Sequence, residues 1–290
     1  MREERKAELM LILLTFIWGW TFPLMKISLN YIPPITFLTY RFGLAVLLML
    51  LAFKTSLFKE TKTILPGLVL GLTLFLGQGL QTIGLKYTTS SNSAFITSLF
   101  IVFTPFIGCL LIKEKIEIKS LISLSLALIG LYLISEIDLN SMQINFGDFL
   151  TLLCAITFAF QIVLVQKYSR EFDHTALAFY QILWAFIFYL AYSLLLGEIK
   201  LPKNYLPWVG ILYTSVFATV LGFLIQVKYQ KKTKVQRAAI IYSAEPIFGH
   251  LTSLLLLGEV LSVRGYLGAF VILLAILWQE LQGKSNRGEK

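Results

Sequence analysis

The chain has 290 residues, of which 57% are hydrophobic and only 14% are charged. Its mean hydropathy of +0.77 excludes a soluble globular domain, in which about half of the residues are apolar. The net charge of +9 does not indicate a nucleic-acid partner, because the Lys and Arg residues lie in short segments between apolar runs, which is a topology signal. Composition therefore predicts an all-α integral membrane protein.

Ten apolar runs are each close to the ~20 residues that a helix needs to cross ~30 Å of hydrocarbon. Because a chain segment in lipid must satisfy its own backbone hydrogen bonds, each run is predicted to be a transmembrane helix. The first run is long and lacks a small-residue cleavage site, so we expect it to be retained. The runs are 8–28, 34–53, 64–85, 93–112, 119–135, 147–166, 174–196, 206–227, 236–257 and 264–280.

The basic residues alternate between the two sides of these runs. Of the 25 Lys and Arg residues, 19 lie in the two terminal segments and every second loop, and 5 lie in the other loops. The positive-inside rule therefore predicts a multi-pass protein of the cytoplasmic membrane with both termini in the cytoplasm. It also predicts a basic cytoplasmic tail at 281–290 and an external loop around Glu136 and Asp138. The basic cluster 228–237 is expected to anchor this topology or, alternatively, to contact anionic lipid.

The second half of the chain repeats the first. Moving it back by 145 positions places QRAAIIYSAEPIFGHLTSLLLLGEVLS (236–262) on SNSAFITSLFIVFTPFIGCLLIKEKIE (91–117) without a gap. Each half holds five spans, an odd number, so the second copy must enter the membrane inverted, as in many secondary transporters. We predict two inverted-topology five-helix repeats, at 8–135 and 147–280, with a site between them. The seven identities are Ala94/Ala239, Ile96/Ile241, Ser98/Ser243, Phe103/Phe248, Leu110/Leu255, Leu111/Leu256 and Glu114/Glu259.

Glu245 lies about nine residues inside its run, where a charge costs at least a few kcal/mol unless it faces a cavity or a partner. Helical spacing places Tyr242, Glu245, Gly249 and Thr252 on one face. The carboxylate is either a site for a substrate ammonium or a proton, or a group that joins two helices. Pro246 lacks an N–H and frees the carbonyl of Tyr242, which predicts a hinge.

Other polar and aromatic residues inside the runs are candidates for a cavity lining. Arg41 either binds a substrate carboxylate, or its side chain extends outward or pairs with the carbonyls of a helix end. The glutamines either line the cavity or join helices, and the aromatic residues either line it or face lipid. The remaining candidates are Trp18, Trp20, Thr21, Gln78, Gln81, Gln161, Tyr180, Gln181, Trp184 and Gln226.

Several functional classes lack their residues in this sequence. Two isolated histidines and the cysteines Cys109 and Cys154 form no metal-ligand spacing, disulfide framework or nucleophile–base pair. No P-loop and no repeated pore motif is found. We therefore expect no enzyme, no cofactor and no metal. A secondary transporter of a small molecule is favoured over a channel or a structural membrane protein, and a homodimer stays open.

The spans in this order resemble the EamA repeats of the drug/metabolite transporter superfamily over residues 8–280. The most recognisable feature is the pair Glu245-Pro246 followed by Gly258-Glu259, within residues 216–262. The chain departs from the family where Lys113-Glu114 replaces a frequent Gly-Glu, and where Phe100 stands opposite Glu245 in the repeat. The matching segments are TFIWGWTFPLMKISL (15–29), LTYRFGLAVLL (38–48), LGQGLQTIGLKYTTSSNSA (76–94), GDFLTLLCAITFAFQIVLVQKY (147–168) and VFATVLGFLIQVKYQKKTKVQRAAIIYSAEPIFGHLTSLLLLGEVLS (216–262).

The resemblance implies two inverted repeats that alternate access to a central cavity and move small metabolites. It favours an exporter of amino acids or related compounds. The alternative is a permease for drugs or for other metabolites, such as sugars or nucleotide-derived compounds.

Overall fold

The computed structural model describes residues 2–58, 60–115, 118–134, 145–199 and 201–285, and every regular element within these ranges is a helix. The predicted external loop with Glu136 and Asp138 and residues 286–290 of the predicted tail lie outside the described residues. The α-helices are α1 (Arg2–Gly19), α2 (Thr21–Ser28), α3 (Pro34–Phe53), α4 (Ile64–Tyr87), α5 (Ser90–Thr97), α6 (Phe100–Ile112), α7 (Ile118–Ile134), α8 (Phe146–Tyr168), α9 (His174–Leu196), α10 (Leu206–Tyr213), α11 (Gly222–Gln230), α12 (Val235–Tyr242), α13 (Glu245–Leu257) and α14 (Val263–Ser285).

These helices group into ten spans, as predicted. Span 1 is α1 and α2, span 4 is α5 and α6, and span 9 is α12 and α13. Span 8 is α10 and α11 joined by a π-helix over Thr214–Leu221. Spans 2, 3, 5, 6, 7 and 10 are α3, α4, α7, α8, α9 and α14. Eight spans are long and apolar enough to cross a membrane, and spans 5 and 10 hold the shorter apolar stretches Leu121–Gly130 and Val263–Ala275. The predicted all-α, ten-helix architecture is confirmed.

Spans 4 and 9 are interrupted at matching places. In span 4, α5 ends at Thr97 and α6 begins at Phe100, whereas in span 9 α12 ends at Tyr242 and α13 begins at Glu245. Thr97 and Tyr242 are 145 positions apart, and so are Phe100 and Glu245, which is the spacing of the internal repeat. Pro246 is the second residue of α13, a position where a missing N–H costs little. The interruption therefore stands directly before the predicted hinge.

In three cases equivalent spans of the two halves pack against each other, namely span 2 with span 7, span 4 with span 9 and span 5 with span 10. In the central pair, α5 packs against α13 and α6 packs against α12. Spans 4 and 9 are therefore antiparallel, which confirms the predicted inverted repeat. Because the number of spans is even, the start of α1 and the end of α14 lie on one side of the bundle. We name this side the terminal face and the opposite side the distal face.

Two clusters of buried apolar side chains hold the bundle together. One is formed mainly by spans 2, 3, 7 and 8, with Met25 of span 1, and contains Phe42. The other is formed mainly by spans 1, 4, 6 and 9 with spans 5 and 10, and contains Tyr242. Trp18 packs against both clusters. The outer surface presents large apolar side chains such as Leu110, which is 76% exposed, and Leu195, which is 84% exposed. Such a surface matches a lipid environment.

Candidate substrate-binding site

A central cavity lies between the two repeats. Spans 1, 2, 3, 4, 6, 8 and 9 all contribute side chains to it. The structure brings together nine of the residues that the sequence singled out. They are Trp18, Thr21, Arg41, Gln78, Gln81, Gln161, Gln226, Tyr242 and Glu245.

Glu245 is the acidic group of this cavity. It is the first residue of α13, so the break in span 9 places its carboxylate at the positive end of a half-helix, where an anion is stabilised. The residue is only 7% exposed. Within the described ranges it makes no hydrogen bond and no ion pair. A carboxylate that joined two helices would have such a partner, so the observed geometry favours a group that faces the cavity.

Arg41 is the basic group of the cavity and is 2% exposed. Its Nε donates to Thr219 Oγ1 at 2.9 Å, and its Nη1 donates to Gln78 Oε1 at 2.9 Å. The guanidinium carbon lies 5.5 Å from the centre of the Phe42 ring. No carboxylate oxygen of the described residues lies within 4.0 Å of it. Neutral groups therefore hold this buried cation, and its charge is not balanced by a neighbouring acid.

The π-helix of span 8 fixes two of the cavity residues. Ser215 Oγ donates to the backbone carbonyl of Arg41 at 2.9 Å, and Thr219 Oγ1 accepts from the side chain of Arg41. Trp18 Nε1 donates to the carbonyl of Ala218 at 3.0 Å. A π-helix widens the backbone and often occurs at functional sites. Thr219 was not predicted, because nothing in the sequence distinguishes it from other span threonines.

The glutamines serve both roles that the sequence left open. Gln161 Nε2 donates to Gln181 Oε1 at 2.9 Å, and Gln81 Nε2 donates to Thr97 Oγ1 at 3.1 Å, so these amides link helices. Thr73 Oγ1 donates to Gln161 Oε1. Gln226 is different, because its Oε1 is buried and has no hydrogen-bond partner among the described residues. This oxygen is available to a ligand in the cavity.

The apolar part of the lining was missed by the sequence reasoning. It consists of Leu74, Phe100, Phe158, Ile162 and Phe223. The repeat carried a signal for one of them, since Phe100 is the equivalent of Glu245.

Three candidates on span 7 lie outside the cavity lining. A Cβ added to Gly67 would come 2.3 Å from the Cβ of Tyr180, and one added to Gly71 would come 2.5 Å from the Cβ of Trp184. These aromatic residues therefore form a close contact between spans 3 and 7. Gln181 is fully buried and contacts the site through Gln161.

Three further candidates, Trp20, Gly249 and Thr252, lie outside the lining, near the break between α1 and α2. A Cβ added to Gly249 would come 3.3 Å from the Cβ of Ala94, and Thr252 Oγ1 donates to the carbonyl of Gly19 at 3.3 Å. The predicted polar stripe of span 9 therefore divides, with Tyr242 and Glu245 at the cavity and the other two at a helix contact. Trp20 packs on Phe16 and Tyr213, with ring centres 6.3 and 6.4 Å apart.

Known proteins are similar to this chain over most of its length. The model of the EamA-like transporter family matches residues 5–136 and 145–279. An uncharacterized transporter of Archaeoglobus fulgidus is 37% identical over 93% of this chain and 84% of its own length. A probable amino-acid metabolite efflux pump of Salmonella typhimurium is 26% identical over 93% of both chains.

A solved crystal structure supports the same fold. It has a TM-score of 0.77 and covers 97% of this chain and 98% of its own, at 15% sequence identity. This likeness concerns the fold alone. The family match covers both halves of the sequence and nearly all ten spans. The family is one of transporters and not of enzymes. The chain is therefore a multi-pass membrane transporter, and it belongs to the EamA-like transporter family.

Proposed function

We propose that this transporter exports amino acids or closely related zwitterionic metabolites across the cytoplasmic membrane by alternating access. One observation carries the proposal. Arg41 and Glu245, two buried groups of opposite charge, line the same cavity but do not pair with each other.

Unpaired buried charges are costly, because water no longer solvates them. A zwitterion compensates both of them at once. Its carboxylate matches the planar fork of Arg41, and its ammonium matches the carboxylate of Glu245. The aromatic rings of Phe100, Phe158 and Phe223 then offer an apolar surface to the side chain of the solute.

Two further arguments support the direction of transport and the orientation. A relative of similar length is named a probable amino-acid metabolite efflux pump. The excess of Lys and Arg on the terminal face, including the cluster 228–237, favours both termini in the cytoplasm. An ion gradient or the gradient of the solute itself then drives export, and Glu245 is the group that would carry a coupled proton.

The test is transport in liposomes with purified protein and labelled amino acids. We expect Arg41→Gln and Glu245→Gln each to lower the transport rate about 10- to 100-fold, since each removes a charge-assisted hydrogen bond to the solute. The controls are Arg170→Gln and Glu171→Gln, which change the same residue types at exposed positions and should leave the rate unchanged.

The same assay separates the amino-acid proposal from the alternative of a neutral-metabolite permease. The amide groups and aromatic rings of the cavity also suit sugars or nucleosides. If a neutral solute moves faster than every amino acid, and Glu245→Gln does not slow it, the proposal is wrong. A pH-sensitive dye inside the liposomes reports coupling, and a silent dye during active flux would exclude proton exchange.

A further inference from the structure

Spans 4 and 9 pack against each other along a contact that we name the seam. At the distal face a carboxylate closes this seam. Glu259 follows the end of α13, and α5 begins beside it. Its Oε1 accepts from the backbone N–H of Ser90 at 3.3 Å. Its Oε2 accepts from the backbone N–H of Ser91 at 3.1 Å and from the hydroxyl of Ser91 at 2.6 Å. We name this group of contacts the distal clasp. A residue of the second repeat thus caps the first helix of span 4.

The terminal face carries the same arrangement with the repeats exchanged. Glu114 follows the end of α6, and its Oε1 and Oε2 lie 3.2 and 3.4 Å from the backbone nitrogen of Val235, the first residue of α12. Gln236 Nε2 donates to the carbonyl of Lys115 at 3.0 Å. We name these contacts the terminal clasp. Here a residue of the first repeat caps the first helix of span 9.

The two clasps are equivalent under the internal repeat. Glu114 and Glu259 are 145 positions apart, and so are Ser90 and Val235. Inversion of the repeat places them on opposite faces of the membrane. The cavity residues of spans 4 and 9, at the starts of α6 and α13, lie between them along the seam. Each clasp therefore closes the seam on one side of the cavity.

We propose that Glu259 and Glu114 are the gating residues of this transporter, one for each face. Release of the distal clasp opens the cavity to the distal face, and release of the terminal clasp opens it to the terminal face. A carboxylate on helix-start N–H groups makes charge-assisted hydrogen bonds. Both glutamates are only partly buried, so water can replace these bonds when the seam opens. The assignment goes beyond the proposed substrate, because it holds for any solute in the cavity.

The terminal clasp has an additional support. Arg237 Nη1 lies 2.7 Å from Glu8 Oε1, which ties span 9 to span 1 through a largely buried ion pair. The equivalent of Arg237 on the other face is Asn92, which carries no charge. The distal clasp has instead a hydroxyl pair, with Ser90 Oγ 2.9 Å from Ser253 Oγ, and Lys26 Nζ of span 1 donates nearby to the carbonyl of Thr88 at 2.6 Å. Each clasp thus has further contacts of its own.

The test measures access to the cavity from each face and needs no substrate. Thr21→Cys, in a Cys109→Ala/Cys154→Ala background, places a thiol in the cavity lining. A membrane-impermeant maleimide is added to sealed vesicles of each orientation, and a protease-cleavable N-terminal tag identifies the terminal face. We expect Glu259→Gln to raise the labelling rate from the distal face about tenfold, the effect of a lost charge-assisted hydrogen bond, with no rise from the terminal face. Glu114→Gln should do the reverse.

The two variants control for each other, because both replace one carboxylate by an amide at a helix end. Equal effects on both faces, or no effect of either variant, would overturn the assignment. If either variant yields no folded protein by size-exclusion chromatography, Ser91→Ala and Gln236→Ala decide the question. Each keeps both glutamates and removes one contact of a single clasp, so each should raise labelling by a smaller factor on its own face alone.

Discussion

Spans 4 and 9 are the same structure built twice, and their differences show where function lies. Both are interrupted at the same register, by Ser98–Leu99 in span 4 and Ser243–Ala244 in span 9. At the residue that follows, span 4 has Phe100 and span 9 has Glu245. The backbone frame is thus symmetric, but only one repeat contributes a carboxylate from this register.

The comparison also shows that a proline at the position of Pro246 is not required for the interruption, since the proline of span 4, Pro105, lies inside α6. The residue equivalent to Pro246 in span 4 is Ile101, and the break is present there as well. The shared residue is serine. Ser98 Oγ donates to the carbonyl of Ala94 at 3.1 Å, and Ser243 Oγ donates to the carbonyl of Ile240 at 2.7 Å. A serine hydroxyl that donates to a backbone carbonyl of the preceding turn competes with the backbone hydrogen bonds of the helix and often bends it.

The first and largest expected effect comes from removing the asymmetry at the cavity. Glu245→Phe gives the second repeat the same residue as the first at this position. Arg41 is then left without an opposite charge in the cavity to bind the ammonium group of the solute. We expect amino-acid transport in liposomes to fall by about 100-fold or more, as both the ion contact and the space for the ammonium are lost. Adding Phe100→Glu should not restore it, because that carboxylate would enter from the other side of the cavity. Recovery by the double variant would show that the two positions are interchangeable.

The second prediction concerns the contact of span 1 with span 9. A Cβ added to Gly19 would come 2.6 Å from the Cβ of Phe248 and 2.8 Å from the backbone nitrogen of Gly249. Since backbone cannot yield as a flexible side chain does, we expect Gly19→Ala to destabilise the protein by about 1–3 kcal/mol. Thermal melting in detergent measures this loss.

Gly79 supplies a matched control for this contact, because a Cβ added there would come no closer than 3.6 Å to the Tyr189 hydroxyl. Gly79→Ala should therefore lower the melting temperature less than Gly19→Ala does. A larger loss from the control would show that the close contact at Gly19 is not the cause of the destabilisation.

The third prediction tests the hinge. Because span 4 breaks without a proline at the equivalent position, Pro246→Ala should keep the break of span 9. We expect a change in stability below about 1 kcal/mol, the size of the effect of one proline on the entropy of the unfolded chain. The transport rate measures the predicted role of Pro246 in motion. A rate equal to that of the unchanged protein would contradict the hinge and leave the serines as the cause of the bend.

The last prediction compares two tryptophans, one inside the cavity lining and one outside it. Trp18 bonds to Ala218 and lines the cavity, whereas Trp20 lies outside the lining. We expect Trp18→Phe to raise the KM for amino acids about 3- to 10-fold, the effect of one lost hydrogen bond. Trp20→Phe should leave the KM unchanged. An unchanged KM in both variants would place both rings outside the site, and a KM raised equally in both would place Trp20 in it.

Much of the architecture follows from the sequence because lipid leaves few options. Apolar runs of about 20 residues must be helices, and an odd number of spans in each repeat forces the inversion. The site was harder to predict, because helical spacing says which residues share a face but not what that face meets. Tyr242 and Gly249 lie on one predicted stripe, but one lines the cavity and the other packs beside Ala94.

The sequence by itself determined the ten spans, the internal repeat and the asymmetry between Phe100 and Glu245, since each is a property of residue order. Only the tertiary structure decided that Arg41 and Glu245 share a cavity, that Trp184 does not reach it, and that Glu114 and Glu259 each cap a helix of the other repeat. The physical reason is that these pairings join spans far apart in the chain. They depend on how ten helices pack side by side, which no local pattern records.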